Sequence, residues 1–599
     1  MKNRTVCLIF ASFALTSCLA ASNWPGWRGN GTGISQESNL PTEWSASNNV
    51  RWRVELPGPG NSSPIVWKDR VFVTQAVSSE NRRTLMCFDR GTGKLLWQSG
   101  VTYTEREPTQ RANPYCAATP VTDGERVIAL FGSAGLYCYD LAGKELWHRD
   151  FGKMNHMFGN GSSPILHDDL CIFPFGPDEK ARLIAVNKKT GETVWEVEPP
   201  KVDPGEQQMA RGGPGSEGGP GGRGGGGGRG GGFGVGSGVA PQMFAQADAN
   251  KDGKLSKEEF TALAETWFDK LDTGKAGKLT QEEFSQRFYD AVPRREDAGQ
   301  GAGERPGRRQ PSRTTAPAFF SAADADKDAS LTRAELKATF IRWFAEWDSE
   351  KKNGIDEEKF REGLNAALPR PNFAGGGGPG GFGGGGGGPG GGATWSTPLV
   401  IKAGGREELI MNFPNRLAAY DPKTGKHLWV SKGLGGTIYT TPAWGEETLF
   451  AMTSGPGGGS AIAVKPGGNG DVTESQRLWR LERAKSGIGS GVIYQGHLYT
   501  ISQDGIAVCT DLKSGTMVWE ERLKGSGTRN GSWSSMLLAD GKIYVPNQAG
   551  DVFILRASPK FELLGTNSTG EPTNASLAAS DSELFMRTDK NLWCIAKAK

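Results

Sequence analysis

The sequence predicts a mainly β fold, an eight-bladed β-propeller, that is interrupted by an inserted all-α module with a glycine-rich linker on each side. Three observations predict this architecture. A turn motif that ends in Trp recurs along the chain, a Ser/Thr-Pro strand opening recurs with it, and two glycine-rich tracts bracket a segment of helical periodicity. Short strands that repeat about every 40–50 residues are typical of propeller blades.

The turn motif is clearest between Leu417 and Trp429, where the sequence reads as a strand, a tight turn and a second strand. In this copy Asp421 and Thr424 can hydrogen-bond the turn amides, and Gly425 can supply a positive φ. Other full copies end at Trp97, Trp147, Trp195 and Trp519, and degraded copies span residues 463–479 and 552–561. The recurrence predicts repeated antiparallel hairpins.

The strand openings fix the number of blades. Five have Pro after Ser or Thr, and three weaker ones begin at Gly491, Ser535 and Ser576. The five are Ser63-Pro64, Thr119-Pro120, Ser163-Pro164, Thr397-Pro398 and Thr441-Pro442. Residues 592–595 lack a final strand, whereas residues 50–54 form a final strand with nothing before it. Joining these two segments closes a ring of eight blades and hides two open sheet edges.

The Asp-x-x-Thr-Gly-x-x-x-Trp motif resembles the repeat of the PQQ-like (quinoprotein-type) propellers. The lead-in Asn23-Trp24-Pro25-Gly26-Trp27-Arg28-Gly29 is similar to the start of secreted bacterial members. The resemblance covers roughly residues 23–203 and 394–599, and it implies that each motif Trp packs flat between neighbouring blades. The superfamily includes PQQ-dependent alcohol dehydrogenases and a non-enzymatic lipoprotein of the outer-membrane β-barrel assembly machinery. It therefore implies a fold and leaves the function open.

The N-terminus predicts export. Residues 1–21 combine basic residues at the start with an apolar run and small residues after it, which is typical of a secretory signal peptide. Leu15-Thr16-Ser17-Cys18 also resembles a bacterial lipobox, so Cys18 is either lipidated or removed by ordinary cleavage after Ala20 or Ala21. Both alternatives predict an extracytoplasmic protein, in the periplasm, at the outer membrane or secreted. A lipid anchor at Cys18 would be its membrane contact.

The inserted module contains a loop with the EF-hand pattern, Asp248 to Glu259. Calcium prefers six to eight oxygen ligands, and this pattern supplies them from alternate positions of a twelve-residue loop. Most of these oxygen ligands come from side chains. Lys254 provides its backbone carbonyl, and Ser256 binds either directly or through a water molecule. Gly253 allows the sharp turn. The predicted ligands are Asp248, Asn250, Asp252, Lys254, Ser256 and Glu259.

A second loop with a full ligand set lies between Asp324 and Glu335. Its predicted ligands are Asp324, Asp326, Asp328, Ser330, Thr332 and Glu335. Ala329 replaces the turn glycine, so its left-handed backbone should cost about 1 kcal/mol. The loops that start at Asp272 and Asp348 lack key oxygens. We expect each pair of consecutive loops to hold one calcium ion, with a structural rather than a signalling role.

The resulting domain boundaries follow the composition. The propeller occupies 22–203 and 394–599, and the glycine-rich linkers 204–239 and 370–393. The first EF-hand pair spans 240–292 and the second 317–369, with a basic, disordered linker at 293–316. The net charge of +3 gives no reason to expect a nucleic-acid partner.

Four cysteines occupy one equivalent position of the repeat, where other copies have Ala185 and Ala419. They are Cys87, Cys138, Cys509 and Cys594. A position that Cys shares with Ala is a small buried one, and equivalent strands of adjacent blades lie too far apart for a disulfide. We therefore expect free buried thiols, and leave Cys116 and Cys171 undecided.

These features favour a calcium-binding, non-catalytic scaffold that binds a protein or cell-envelope partner on the propeller face. The alternative is a PQQ-dependent quinoprotein oxidoreductase similar to alcohol dehydrogenases. The chain lacks the adjacent cysteines and the Cys-x-x-Cys-His motif of such enzymes, and no residues can be assigned to PQQ. The five histidines show no metal-ligand spacing. The many aromatic residues also permit a carbohydrate or cell-wall ligand.

Overall fold

The computed structural model describes residues 22–200, 239–292, 312–348, 354–368 and 394–597, except 111, 157, 179–180, 436, 455–458, 486 and 528–530. The chain divides into two compact units, Met1–Glu217 with Gly380–Lys599, and Gly218–Pro379. The predicted signal peptide and most of the predicted linker residues lie outside the described part. Among the described residues, no helix is long and apolar enough to cross a membrane.

The first unit is an eight-bladed propeller in which each blade is an antiparallel sheet of four strands, and two blades carry an added strand. Blades 1 to 4 comprise, in turn, Ile65–Trp67, Arg70–Val77, Arg82–Asp89 and Leu95–Thr102; Val121–Thr122, Arg126–Leu130, Leu136–Asp140 and Glu145–Arg149; Ile165–His167, Leu170–Phe175, Arg182–Asn187 and Thr193–Val197; and Leu399–Ala403, Arg406–Phe413, Arg416–Tyr420 and His427–Lys432.

Blades 5 to 8 comprise Ala443–Gly445, Thr448–Met452, Gly459–Val464 and Arg477–Ala484; Val492–Tyr494, His497–Ile501, Ile506–Asp511 and Met517–Arg522; Leu537–Ala539, Lys542–Pro546, Asp551–Arg556 and Leu563–Ser568; and Ala578–Ser580, Glu583–Arg587, Asn591–Ile595 and Val50–Glu55. The added strands are Ile34–Ser35 on blade 7 and Gly470–Asp471 on blade 4, both parallel to their neighbours. Short helices are Ser78–Glu80, Gly132–Ala134 and Thr473–Gln476.

The two ends of the propeller sequence close the ring, as predicted. Val50–Glu55 is the outer strand of blade 8 and pairs antiparallel with Asn591–Ile595, with Trp52 opposite Cys594. The remaining strands of this blade come from the C-terminus. The number of blades and the joining of N- and C-terminal segments are therefore confirmed.

The repeated turn forms through local hydrogen bonds and a close contact between blades. Asp421 Oδ1 accepts hydrogen bonds from Thr424 N at 2.8 Å and Thr424 Oγ1 at 2.9 Å. Gly425 has φ of 70°, and a Cβ there would lie 2.7 Å from Cε3 of Trp195 in the preceding blade. Trp195 Nε1 in turn donates to the Pro422 carbonyl at 3.0 Å. Glycine is required here both for its φ and for the approach of the indole.

Packing of the motif Trp against the next blade recurs at most copies. The indoles that contact a turn glycine of the next blade are Trp52, Trp97, Trp147, Trp195 and Trp479. Trp429, in the clearest sequence copy, differs: its Nε1 donates to Glu408 Oε2 of its own blade at 2.8 Å. The added strand Gly470–Asp471 pairs with the strand that contains Trp429. Because Gly470–Asp471 lies in the connection between two strands of blade 5, this strand pairing links blades 4 and 5 where other blades use an indole–glycine contact.

The lead-in segment crosses the ring before the first blade begins. The Pro25 carbonyl accepts a hydrogen bond from Thr122 N of blade 2 at 2.9 Å, and the Gly33 carbonyl accepts one from Leu538 N of blade 7 at 2.9 Å. Between them, Arg28 Nη2 donates to the Gly491 carbonyl next to blade 6 at 2.7 Å. Residues 25–33 therefore span from one side of the propeller to the other.

The second unit is a single helical domain. Its helices are Ala240–Ala247, Lys257–Leu271, Gln281–Ala291, Ser312–Ala323, Arg333–Trp347 and Glu357–Ala367. Phe260 lies at the centre of one shared core, 4.7 Å from Phe340 and 5.4 Å from Phe360 between ring centroids. Helix Ser312–Ala323 begins within the segment predicted as linker.

The calcium loops pair differently from the order predicted by sequence. Lys254–Leu255 of the first loop pairs with Ile355–Asp356 of the fourth, and Lys278–Thr280 of the second pairs with Ser330–Thr332 of the third. The division into two EF-hand pairs consecutive in sequence is therefore wrong. Aromatic contacts accompany this pairing, since Phe244 of the first hand lies 5.8 Å from Phe360 of the last between ring centroids. Each observed pair still combines one loop with a full ligand set and one degenerate loop.

Candidate functional site

The first EF-hand loop is held in shape by the side chains that are predicted to bind calcium. Asp248 Oδ2 accepts a hydrogen bond from Gly253 N at 3.1 Å, and Asn250 Oδ1 accepts one from Asp252 N at 2.8 Å. Asp252 Oδ1 accepts from Lys254 N at 2.8 Å. These bonds wrap the loop around its acidic side chains, as a site for a hard cation requires.

Glu259 serves both the loop and the following helix. Its Oε2 accepts hydrogen bonds from Ser256 N at 3.0 Å and Ser256 Oγ at 2.8 Å, while Glu259 N donates back to Ser256 Oγ. This is a capping box at the start of helix Lys257–Leu271. The backbone and side-chain hydrogen bonds from Ser256 hold the pKa of Glu259 below its ordinary value. The carboxylate is therefore ionised at neutral pH, as a calcium ligand must be.

The third loop offers the best fit for a metal ion. Carboxylate oxygens of Asp324, Asp326 and Asp328 lie within 4.8 Å of one another. Asp324 Oδ1 is buried and has no hydrogen-bond partner. An unpartnered buried carboxylate oxygen is costly unless a cation satisfies it. The donor set, all hard oxygen, fits calcium.

The rest of the third loop matches the first, with one exception. Thr332 N and Oγ1 donate to Glu335 Oε2 at 2.9 and 2.7 Å, which repeats the capping box. Ser330 N donates to Asp328 Oδ1 at 2.7 Å. The exception is Ala329, which has φ of 65° where the first loop has Gly253 with φ of 77°. Ala329 therefore adopts the left-handed backbone that the sequence predicted.

The degenerate loops keep the fold of the loop without its ligands. Asp272 Oδ1 and Oδ2 accept hydrogen bonds from Ala276 N and Gly277 N, each at 2.8 Å. Positions three and five of that loop are Gly274 and Ala276, which offer no side-chain oxygen. In the fourth loop, Lys359 occupies the final ligand position. The two degenerate loops still supply the short strands that pair with the first and third loops.

A histidine and two carboxylates meet where blades 3 and 4 adjoin. His167 Nε2 lies 3.3 Å from Glu407 Oε2 and 3.7 Å from Asp168 Oδ2. Lys423 Nζ lies 3.6 Å from the same Asp168 oxygen. No local sequence pattern indicates this cluster, because the inserted module separates Glu407 from His167 in the chain. The imidazole and the two carboxylates are ligand types that bind metal ions.

A closed ring of hydrogen bonds surrounds the propeller axis. In each blade the backbone N–H of the Ser or Thr that precedes the inner strand donates to the hydroxyl of its counterpart in the next blade, at 2.9 or 3.0 Å. The ring runs through Ser63, Thr119, Ser163, Thr397, Thr441, Ser490, Ser535, Ser576 and back to Ser63. The recurrent Ser/Thr of the strand opening is therefore the residue that links each blade to the next.

A cavity of about 150 Å³ lies on the axis beside this ring. The residue two positions before each ring hydroxyl lines it in all eight blades: Asn61, Ala117, Gly161, Trp395, Tyr439, Ile488, Trp533 and Asn574. Trp27 of the lead-in and several ring hydroxyls also line it. The repeat thus delivers eight equivalent side chains to one central site.

We tested whether this cavity suits PQQ, a planar group with three carboxylates. The aromatic walls suit a planar ring. None of the described residues that line the cavity carries a charge, so none of them would neutralise a carboxylate. Adjacent cysteines are absent from the sequence. The described lining therefore does not fit the group, and we derive no redox step from it.

The family model described as outer membrane protein assembly factor BamB matches residues 29–156, 75–213 and 409–599, which together exceed half of the chain. The EF-hand family model matches residues 242–264. A search of curated protein sequences finds no match.

Several solved structures are similar to this chain at low sequence identity. BamB from Moraxella catarrhalis is 10% identical, with 91% of this chain and 96% of that chain covered and a TM-score of 0.43. Quinohemoprotein alcohol dehydrogenase from Comamonas testosteroni is 12% identical, with 96% and 81% covered and a TM-score of 0.37. A europium-containing methanol dehydrogenase is 11% identical, with 89% of each chain covered and a TM-score of 0.35.

Proposed function

The chain belongs to the propeller family whose model is described as outer membrane protein assembly factor BamB, and on that premise we propose that it is an extracytoplasmic, calcium-binding scaffold. In this proposal the propeller binds a protein or cell-envelope partner and catalyses no reaction. The signal-peptide pattern in residues 1–21 supports export. The name of the family supports a role in envelope protein interactions.

The observation that carries calcium binding is the buried, unpartnered Asp324 Oδ1 among three converging carboxylates. The first loop supplies a second site with the same arrangement of ligands. Calcium outside cells reaches the affinity range of extracellular EF-hand modules, about 10⁻⁴–10⁻³ M. The two sites would therefore stay occupied, and the ions would have a structural role in the helical domain.

The outer strands of the propeller support a protein partner. Every large hydrophobic side chain that is exposed among the described residues lies on an outer strand: Leu95, Leu96, Leu146, Val194, Leu478, Met517, Val518 and Leu563. Five of them directly precede a motif Trp. Exposed apolar side chains beside open strand edges are typical of surfaces that bind a peptide or a second protein.

A quinoprotein oxidoreductase is the second candidate. The aromatic walls of the axial cavity are the observation that favours it, whereas the absence of charge among the described lining residues counts against it. Calorimetry on the chain from residue 22 decides between the two functions. The scaffold predicts two calcium equivalents and no heat on addition of PQQ. Stoichiometric PQQ binding with dye-linked alcohol oxidation would contradict it. A fusion of residues 1–21 to alkaline phosphatase tests export separately.

A further inference from the structure

We propose that the axial cavity binds one neutral sugar ring, the end of a carbohydrate chain. The proposal goes beyond the scaffold role and does not depend on it. It rests on the distribution of side chains around the cavity, on their contacts, and on the volume and charge of the site.

The eight equivalent positions around the axis divide into two halves of different chemistry. Blades 4 to 7 contribute large apolar side chains, and blades 8 and 1 to 3 contribute amides and small residues. The first half is Trp395, Tyr439, Ile488 and Trp533, and the second is Asn574, Asn61, Ala117 and Gly161. A pyranose ring has the same two-sided character, because its C–H face is apolar and its hydroxyls point outward. An aromatic platform with a few placed polar groups is the usual form of a small-molecule site.

The aromatic half is held rigidly. Trp395 Nε1 donates to the Gly159 carbonyl at 2.9 Å, and the Trp395 ring stacks on Tyr439 with centroids 5.2 Å apart and an interplanar angle of 28°. Both side chains are only half-buried, so part of each remains accessible. A platform that is fixed before binding loses little conformational entropy when a ligand packs against it.

The amide half is oriented by a shared carbonyl. Asn61 Nδ2 donates to the Ala112 carbonyl at 2.9 Å, and Asn574 Nδ2 approaches the same oxygen at 3.4 Å. Asn574 Oδ1 accepts from Gln548 Nε2 at 3.0 Å. No donor among the described residues reaches Asn61 Oδ1, so this oxygen is available to a sugar hydroxyl. The ring hydroxyls of Ser63 and Ser576 line the cavity beside these amides and can donate in turn.

Charge and volume restrict the ligand further. The described lining carries no charge, so an ionised group would be desolvated there without a partner, which is costly. A cavity of about 150 Å³ holds one six-membered ring. Trp27 lies in the lead-in segment that crosses the ring. It also lines the cavity, which leaves less room for a longer ligand. A terminal sugar therefore fits better than an internal unit of a longer chain.

The test is ligand-observed saturation-transfer NMR on the full mature chain. The probes are the methyl glycosides of glucose, galactose, mannose and N-acetylglucosamine, with methyl glucuronide as the charged comparison. We expect saturation transfer to the C–H protons of at least one neutral glycoside, and weaker transfer to the glucuronide. Absence of transfer to all four neutral glycosides at millimolar concentration would overturn the proposal.

Variants locate the site. Trp395→Ala and Asn61→Ala should each weaken binding of the neutral glycoside about tenfold or more. Asn48→Ala, an exposed amide outside the cavity, is the matched control and should bind normally. Thermal unfolding identifies a variant that fails to fold, and Asn61→Asp then replaces it, because an added charge should abolish binding with little change in volume. Glycoside binding that is unchanged in a folded Asn61 variant would refute the assignment.

Discussion

The backbone N–H of Ser576 donates to the Oγ of Ser63 at 3.0 Å, across 513 residues of sequence. This bond joins the last blade to the first and completes the ring of hydroxyls around the axis. Because all eight links have the same form, each blade contributes one donor and one acceptor. The hydroxyl of Ser63 should therefore stabilise the closed propeller.

Replacing Ser63 with Ala should lower the free energy of unfolding by about 1–3 kcal/mol, because it leaves the buried Ser576 N–H without an acceptor. Ser490→Ala, which removes an equivalent link away from the closure, should cost a similar amount. Urea unfolding followed by tryptophan fluorescence measures both. Ser78→Ala, at an exposed position, is the control. A cost at Ser63 no larger than that at Ser78 would show that the ring does not stabilise the fold.

Calcium stoichiometry tests the two loops. Glu259→Gln and Glu335→Gln should each remove one of two calcium equivalents, because each change removes a charged bidentate ligand. Glu283→Gln changes the same position of a degenerate loop and should leave two equivalents. Isothermal titration calorimetry gives the count. Retention of both ions in the Glu259 and Glu335 variants would place calcium elsewhere.

Ala329→Gly should strengthen binding at the third loop. The substitution relieves a left-handed residue at a cost of about 1 kcal/mol, which corresponds to about fivefold in affinity. Gly253→Ala is the reciprocal change in the first loop, where an added Cβ would meet no atom within 4 Å. It should weaken binding by a similar factor through backbone strain alone. Calcium titration should therefore show a higher affinity in the Ala329→Gly variant and a lower affinity in the Gly253→Ala variant.

The thiols should be unreactive until the propeller unfolds. All six cysteines among the described residues are free and buried, and burial raises the pKa of Cys138 and Cys594 to about 12 each. Since the thiolate is the reactive form, Ellman's reagent should modify no thiol in native protein near neutral pH and all six in denaturant. Fast modification of a native thiol would indicate local opening of a blade.

Acid should destabilise the propeller through its turns. The side-chain hydrogen bond from Thr92 lowers the pKa of Asp89, and that from Ser514 lowers the pKa of Asp511. A lowered folded-state pKa gives stability that is present above the unfolded value of about 3.9 and is lost as the pH falls through the folded value. Urea midpoints measured from pH 7 down to pH 3 should fall below about pH 4.

Replacing both Asp89 and Asp511 with Asn gives the matching control for the acid response. Asn187 already occupies this position in blade 3, where its Oδ1 accepts from Thr190 N at 3.2 Å, so the substitution is compatible with the turn. The double variant Asp89→Asn, Asp511→Asn should lose less stability in acid than the parent. An unchanged acid response would assign that response to other carboxylates.

The blades could be predicted from the sequence because their turn chemistry is local. Asp421, Thr424 and Gly425 lie within five positions, and their hydrogen bonds appear as the pattern requires. The hydrogen bonds of the first and third EF-hand loops are local too, because each loop is a single twelve-residue segment, and calcium binding by their oxygens remains a prediction. The free, buried state of the four repeat cysteines is likewise confirmed.

Features made by distant segments could not be predicted in this way. The pairing of the first calcium loop with the fourth depends on contacts such as Phe260 with Phe340, which no local pattern specifies. His167 meets Glu407 only because two blades adjoin. The eight cavity positions are visible once the strand openings are aligned. The sequence does not show that these positions divide into an aromatic half and an amide half. That division arises because closure of the ring brings Asn574 near Asn61.

The strand Val50–Glu55 has no neighbours in its blade other than those supplied by the last residues of the chain. During synthesis it must wait, unpaired, until the helical module and all other blades have been made. A ribosome that stops early leaves an open arc with exposed edges, which is a substrate for aggregation or proteolysis. Only a chain that contains both end segments can therefore form the closed, stable propeller.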